Sequence, residues 1–475
     1  MFEEESDEWM NGSFKEQLKQ LDDMYNANNY QYLDSDRVEF ILDHLLISNQ
    51  LSKAKWTAEK ALEHFPTNSA IIIRLAQATS ISGDINKALK MLLNLERMEA
   101  NNIDIQLSIA TCYSQLKYNY LAIKYFQCAF SLASGDEKLE IAIDLAMEYE
   151  NNEDYASAIS MLQDAIKTCG LNDLLVYELA FCYERIEEYD NAIKCFLDYT
   201  DEEPYSFTTW YNLGNTYSKI GDLTNAIWAY EYSILIQQDF IPALYNIANA
   251  YLDNDEITLA LEHYNRCLEH DENDPMVFCS LGECYEEIDE FERAYEMYSE
   301  SAALLPELAD AWMGKGIMSD YLGFGQRAIR ETLVAVELHP KKQDYWRELA
   351  HIYENNNKQE KAINAFKKAI EIRIDNNDLI IEYLSLLAGI AIEDVFLAIE
   401  NNTNLANHPA AQLVLCYCNW MMGNQSEAMI LLDQVIFNDA SLAKSLFLHF
   451  PTMKSESYYV NRLQEIDEIE NNEEF

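Results

Sequence analysis

His263, Cys267 and His270 lie four and three residues apart, a spacing that can line two imidazoles and a thiol along one face of a helix. Those groups bind zinc when further ligands close the geometry. At the phase of Cys267, however, the chain elsewhere carries Ala61, Ala129, Ala165, Ala335 and Ala369, which reads as a buried packing place. The expectation is a packed thiol with two surface histidines, and no metal. Cys416-x-Cys418 is spaced wrongly for a zinc knuckle, and on a helix its two side chains point to different sides. Carboxylate pairs such as Glu286-Glu287, or Asp253 with Asp255, arise by chance where acid is this frequent. Gly314-x-Gly316 and Gly323-x-Gly325 form no phosphate-cradling loop. The chain is therefore expected to be no enzyme, with no catalytic residue and no cofactor.

The charge narrows the choice of partner. There are 33 lysines and arginines against 82 aspartates and glutamates, a formal net charge of −49, and the excess is spread along the whole chain. Such a surface repels nucleic-acid phosphates and anionic lipid, so the expected partner is a protein or peptide that is basic or neutral. Keeping a large exposed surface in solution is the other use of so much acid. The opening MFEEESDEWM is acidic where an export signal is basic and then apolar. No apolar run of about 18 residues is present, so no membrane insertion is expected. Cys112, Cys182 and Cys284 share one phase and read as small buried fillers, which suits a reducing, cytoplasmic location.

What must position any site is a repeated element. Ala54, Ala88, Ala122, Ala158, Ala192, Ala226, Ala260, Ala294, Ala328, Ala362 and Ala428 are spaced by 34 or 36 residues, except for a last gap of 66. A small residue at fixed phase implies one close helix contact built repeatedly. Within residues 207–240, apolar positions fall at Trp210, Leu213, Gly214 and Tyr217, then at Ala226, Ile227, Tyr230 and Ile234, which predicts two amphipathic helices. Gly221 and Asp222 between them suit the end of one helix and the start of the next. Pro66, Pro204, Pro306 and Pro340 recur where the second helix should end. Two extra residues near Ala133-Ser134-Gly135-Asp136 account for the 36-residue gap between Ala122 and Ala158.

The pattern W-x2-L-G-x2-Y, then A-x3-F, resembles the tetratricopeptide repeat. Trp210, Leu213, Gly214, Tyr217, Ala226 and Tyr230 match it with tyrosine for phenylalanine, and the units holding Leu244, Phe278 and Trp346 repeat the match in register. The resemblance implies an all-α fold, a right-handed α-solenoid of about twelve helical hairpins. Repeats are expected to start near 35, 69, 103, 139, 173, 207, 241, 275, 309 and 343, after an acidic segment or cap at 1–34 that includes Phe14, Leu18 and Leu21. A degenerate repeat at 377–408, a regular one at 409–442, a capping helix at 443–463 and an acidic tail at 464–475 complete the chain. The unit at 309, with Lys315 and Ser319 in the leucine and tyrosine places, is expected to pack loosely, as a joint or a partner contact.

In this family the first helix of each hairpin lines a concave groove that holds extended peptides or helices. By that analogy the candidate partner-binding residues are Tyr177, Tyr211 and Tyr245, one repeat apart, with Asn212, Asn215, Asn246 and Asn249 beside them and Arg185 and Lys219 nearby. Asparagine amides pair with both peptide N–H and C=O, and tyrosine adds contact area at small entropic cost. The same residues also match the average sequence of the family. Arg74, Arg185, Lys219 and Arg347 are scattered, whereas Glu150, Glu184, Glu286, Glu287 and Glu354 fall near the same inner rim, which opposes a co-chaperone that clamps acidic tails. The chain also resembles long bacterial repeat proteins and the repeat arrays of the anaphase-promoting complex and of O-linked N-acetylglucosamine transferase. It carries nothing like that transferase's catalytic domain. The expected function is a non-enzymatic interaction scaffold or adaptor. A regulatory or activating subunit of an enzyme complex is the alternative, and a peptide-sensing regulator lacks the helix-turn-helix it would need.

Overall fold

The computed structural model describes residues 16 and 18–464, and these are all-α, with no strand among them. The chain divides after Phe240 into two compact units. In the first, helical residues 18–26 (α1) precede six hairpins: α2 (Ser35–Ile47) with α3 (Leu51–Leu62), α4 (Ser69–Ile81) with α5 (Ile85–Glu96), α6 (Ile103–Gln115) with α7 (Asn119–Leu132), α8 (Gly135–Asn151) with α9 (Tyr155–Cys169), α10 (Asp173–Arg185) with α11 (Tyr189–Glu202), and α12 (Phe207–Lys219) with α13 (Leu223–Ile236). In the second, α14 (Ile241–Asp253) pairs with α15 (Ile257–His270), α16 (Pro275–Glu287) with α17 (Phe291–Leu304), α18 (Ala309–Tyr321) with α19 (Gly325–Leu338), and α20 (Gln343–Asn355) with α21 (Gln359–Ile372). It continues through α22 (Asn377–Ile390), α23 (Ile392–Glu400), the short α24 (Thr403–Ala406) and the hairpin of α25 (Pro409–Met421) with α26 (Gln425–Asn438). Each unit is a solenoid of hairpins. No helix among the described residues is long and apolar enough to cross a membrane.

The small residues explain why the helices pair. None of the eleven alanines of the ladder is more than 1% exposed. Glycine serves the same contact from the opposite helix: a Cβ at Gly214 would lie 2.6 Å from the ring of Tyr230, and one at Gly282 would lie 2.7 Å from that of Tyr298. Between the helices the chain turns through one left-handed residue. Gly221 takes it with φ 76°, but Lys117 and Glu187 take it with φ 62° and no glycine to ease it. Asp84, Asp154 and Asp222 then start the second helix, each accepting from the N–H three residues on at 3.2 Å.

At three junctions successive hairpins are stitched together by tryptophan. The Nε1–H groups of Trp210, Trp312 and Trp346 donate to the carbonyls of Pro204, Pro306 and Pro340 at 2.9, 3.0 and 2.9 Å. Proline ends one hairpin and its carbonyl receives the indole of the next. Leu21 of α1 is buried with Val38, Ile41 and Leu42 of the first hairpin, and Trp56 donates to Asn28 at 3.0 Å. Phe14 and residues 465–475 lie outside the described residues.

Three expectations are corrected. The extra residues before the fourth hairpin do not sit in a loop: α8 starts at Gly135, with Asp136 and Glu137 in its first turn favouring the early start. The single helix expected over 443–463 is broken into α27 (Ala440–Lys444), α28 (Leu446–His449), a 3-10 turn at Pro451–Ser455 and helical residues 457–464. Pro451 donates no N–H and holds Phe450 out of the helical region, at φ −127° and ψ 69°. Finally, the 309 hairpin is not loose. Lys315 and Ser319 meet around Glu331, which is 8% exposed: Ser319 Oγ donates to it at 2.5 Å, Tyr295 Oη at 3.1 Å, and Lys315 Nζ stands 3.8 Å away. A polar network has replaced the usual apolar contact.

That hairpin is also held close by backbone. A Cβ at Gly316 would meet Thr332 Oγ1 at 2.3 Å, Thr332 N at 3.0 Å and the Ala328 carbonyl at 3.3 Å, so the neighbouring helix itself must move. Gly316→Ala is expected to destabilise the protein by about 1–3 kcal/mol in urea titrations. In wild type, amide exchange over 309–330 is expected to be as slow as in the flanking hairpins; faster exchange there would restore the joint.

Candidate functional site

The first helices of neighbouring hairpins touch directly: α2 with α4, α4 with α6, α8 with α10 and α10 with α12 in the first unit; α14 with α16, α16 with α18 and α18 with α20 in the second. They form a continuous inner layer within each unit. Side chains that this layer does not bury are the material for a binding face.

In the first unit Tyr177 is 44% exposed on α10. Tyr211 of α12 packs its ring on Tyr230 at 6.0 Å and Phe240 at 5.1 Å, and is half-buried. Tyr230, 2% exposed, comes from the second helix and passes through the layer over Gly214 to donate its hydroxyl to Asn215 Oδ1 at 2.8 Å. Asn212 is half-buried beside them. Arg185 and Lys219 do not join this group. Arg185 donates to the Tyr155 hydroxyl at 3.1 Å with its guanidinium over the same ring, while Lys219 pairs with Glu184, which also accepts from Thr216 at 2.5 Å.

The second unit repeats the device. The Tyr264 hydroxyl donates to Asn249 Oδ1, the Tyr245 ring packs on Tyr264 at 5.6 Å, and the Tyr245 hydroxyl meets Ser280 Oγ at 3.2 Å. Asn246 is half-buried on the same helix. Each amide is thus fixed by a tyrosine from behind, which orients its oxygen inward and its nitrogen the other way. Residue-by-residue reading missed the two hydroxyls. Their signal was present: tyrosine replaces phenylalanine where an asparagine stands 15 residues earlier.

Acid crosses from hairpin to hairpin along this layer. Ser114 donates to Glu148 at 2.7 Å, the Cys182 thiol to Glu150 at 3.4 Å, Thr216 to Glu184, and Asn355 to Asp320 at 2.7 Å. Cys182 is therefore a donor as well as a filler, and burial pushes its thiol up. Burial, and then the neighbouring Glu150, push the Glu178 carboxyl up to about 7. Burial likewise raises Glu283, Glu286 and Glu348 in the second unit.

Of the residues spaced to do chemistry, all but His270 are absorbed by packing. His263 is buried, a correction to the surface position expected of it, because its ring stacks on Tyr251 at 5.5 Å. Cys267 is 1% exposed with its thiol pushed up to about 11 by burial, and His270 is exposed. Cys416 and Cys418 are both fully buried. Among the described residues no three His, Cys, Asp or Glu side chains are grouped to hold a metal ion.

Models of the tetratricopeptide repeat match residues 241–274 and 344–376, and that of the ChAPs (Chs5p-Arf1p-binding proteins) matches 133–239. No curated protein matches the chain. Among solved structures, MamA is 23% identical over 35% of this chain and 91% of its own, with a TM-score of 0.32. YrrB, described as a tetratricopeptide-repeat protein with an unusual peptide-binding site, is 19% identical over 38% of this chain and 93% of its own, with a TM-score of 0.33. A tetratricopeptide-repeat protein from Parabacteroides merdae is 17% identical over 52% and 97%, with a TM-score of 0.42.

The raised carboxyl has a consequence for stability. Above its ordinary value of 4.5, Glu178 loses its proton in the unfolded chain before it does in the folded one, so its contribution to stability falls as pH rises toward about 7. Glu178→Gln is expected to stabilise the protein by about 1–3 kcal/mol at about pH 8 and to have little effect at about pH 4, read from denaturant midpoints at both.

Proposed function

From an array of tetratricopeptide repeats, which is an interaction scaffold, we propose a specific use: the chain holds an extended or helical segment of a protein partner against the inner layer of its hairpins, without catalysis of its own. The observation that carries this reading is Tyr177, a large aromatic left 44% exposed on α10 while Tyr211 and Tyr245, at the same phase of α12 and α14, pack on neighbouring rings. In the first unit Tyr177, Tyr211, Asn212 and Asn215 supply contact area and amides; in the second, Tyr245, Asn246 and Asn249 do. The name of the family matched at 133–239 speaks of protein binding, which supports docking on that stretch.

The partner is basic or neutral. Lys219 is paired with the Glu184 carboxylate, and Arg185, held by the neutral hydroxyl and ring of Tyr155, is one cation on a chain of net charge −49. Nucleic acid is disfavoured for the same reason. All ten cysteines carry free thiols, which suits a cytoplasmic location.

Cross-linking and affinity capture from native lysate test this. Tyr177→Ala with Asn212→Ala is expected to lower capture of the bound protein by about fivefold or more at unchanged melting temperature. Affinity is expected to weaken as salt rises. Equal capture by the double variant would move the site elsewhere, and a salt-independent affinity would remove the electrostatic part.

A further inference from the structure

On the inner layer of the second unit, α18 and α20 run side by side and leave a cleft of about 680 Å³. Its lining combines three kinds of surface. Ile317 and Ile352 are apolar, Tyr321 is an aromatic ring 66% exposed with one face stacked on Phe291 at 4.7 Å, and Asp320 and Glu348 are carboxyl groups. We propose that this cleft receives an arginine side chain of the partner protein, its stem on the two isoleucines and its guanidinium between Tyr321 and the two carboxylates. The proposal rests on the scaffold reading above and assigns one contact within it.

Asp320 is held in place rather than loose on the surface. Asn355 Nδ2 donates to its Oδ2 at 2.7 Å and Asn356 Nδ2 to its Oδ1 at 2.9 Å, while Asn356 also donates to the Ile352 carbonyl at 2.8 Å. The amide that does this occupies space only a glycine leaves open: a Cβ at Gly325 would stand 1.5 Å from Asn356 Oδ1. Both donors are neutral, so the carboxylate keeps its charge. Each of its oxygens retains an acceptor direction for another donor.

Two nearby cationic side chains are spent on another acid. Arg347 binds Glu382 through two nitrogens, and His351, which lines the cleft, meets Glu382 through Nε2 at 3.2 Å. Burial works against the charge of Glu382, but these hydrogen bonds hold its carboxyl down at about 2. At Glu348 burial raises the carboxyl, the pull of His351 and Arg347 opposes the rise, and Glu382 and Asp344 add to it. A cation in the cleft would be attracted by Glu348 and Asp320 together.

Arginine fits this lining better than lysine. Its planar guanidinium donates in several directions at once and stacks on an aromatic face, whereas an ammonium is a point charge with a stronger hold on water. An anion is opposed by both carboxylates, and no three ligands are grouped for a metal among the described residues.

The test uses the full chain with isoleucine methyl groups labelled for NMR, and two probes: the peptide acetyl-Gly-Ser-Arg-Ser-Gly-amide and its counterpart with neutral citrulline for arginine. The arginine peptide is expected to shift the Ile317 and Ile352 methyls saturably. Citrulline, or Glu348→Gln in the protein, is expected to weaken binding about tenfold or more. Glu348→Gln removes a desolvated charge without changing size, and an unaltered melting temperature checks that it folds. Equal affinity for the two peptides, or binding untouched by Glu348→Gln, overturns the cleft. Shifts confined to other isoleucines of the inner layer, or no shift while capture from lysate succeeds, also overturn it and leave the scaffold standing. Loss of capture from lysate removes the scaffold itself.

Discussion

Everything in this protein depends on how closely the two helices of a hairpin approach. That approach is steric in origin: alanine on the second helix and glycine or another small residue on the first leave nothing between the backbones but an aromatic ring lying across the gap. Where the ring is Tyr230 or Tyr264, the distance is short enough for a hydroxyl rooted in the second helix to reach the inner layer. The packing contact and the arrangement of the binding face are thus one interaction read from its two ends. An alanine enlarged, or a glycine given a Cβ, moves a core ring and the asparagine it holds.

The inner layer has a second, electrical organisation laid over the first. Hydroxyl, thiol, amide and carboxyl groups link one hairpin to the next through Glu148, Glu150, Glu184 and Asp320. Each link satisfies a polar group that stacking would otherwise strand. Most of the donors are neutral, so the layer stays acidic even where its carboxylates are hydrogen-bonded. A chain that paired each of these acids with lysine would stack equally well and present no field to a partner.

Much of the fold was legible in spacing alone, because helix pairing imposes one period on residue size. Alanine, tryptophan and proline report that period, and the hairpins follow from it. What the period does not carry is context within a slot. Ser319 and Lys315 break the repeat pattern, yet with Glu331 they rebuild its contact in polar form, which requires knowing that α18 and α19 bring the three together. His263 looked exposed because histidine is polar; the Tyr251 ring beside it is one turn of the preceding helix away in space and twelve residues away in sequence. The break at Pro451 comes from one residue with no N–H, set among apolar residues that would otherwise suit a single helix. Of the candidate site, the tyrosines and asparagines were legible as a register. Their grouping around Tyr230 and Tyr264 was not, since it depends on a hydroxyl crossing between helices.

The indole-to-proline hydrogen bonds show that the repeat of the sequence and the repeat of the structure are out of step. Trp210, Trp312 and Trp346 belong by pattern to one hairpin and by hydrogen bond to the end of the one before. At these three junctions the proline carbonyl that ends a hairpin is met by an indole six residues on, so the hairpin's own two helices do not satisfy it without the helix that follows.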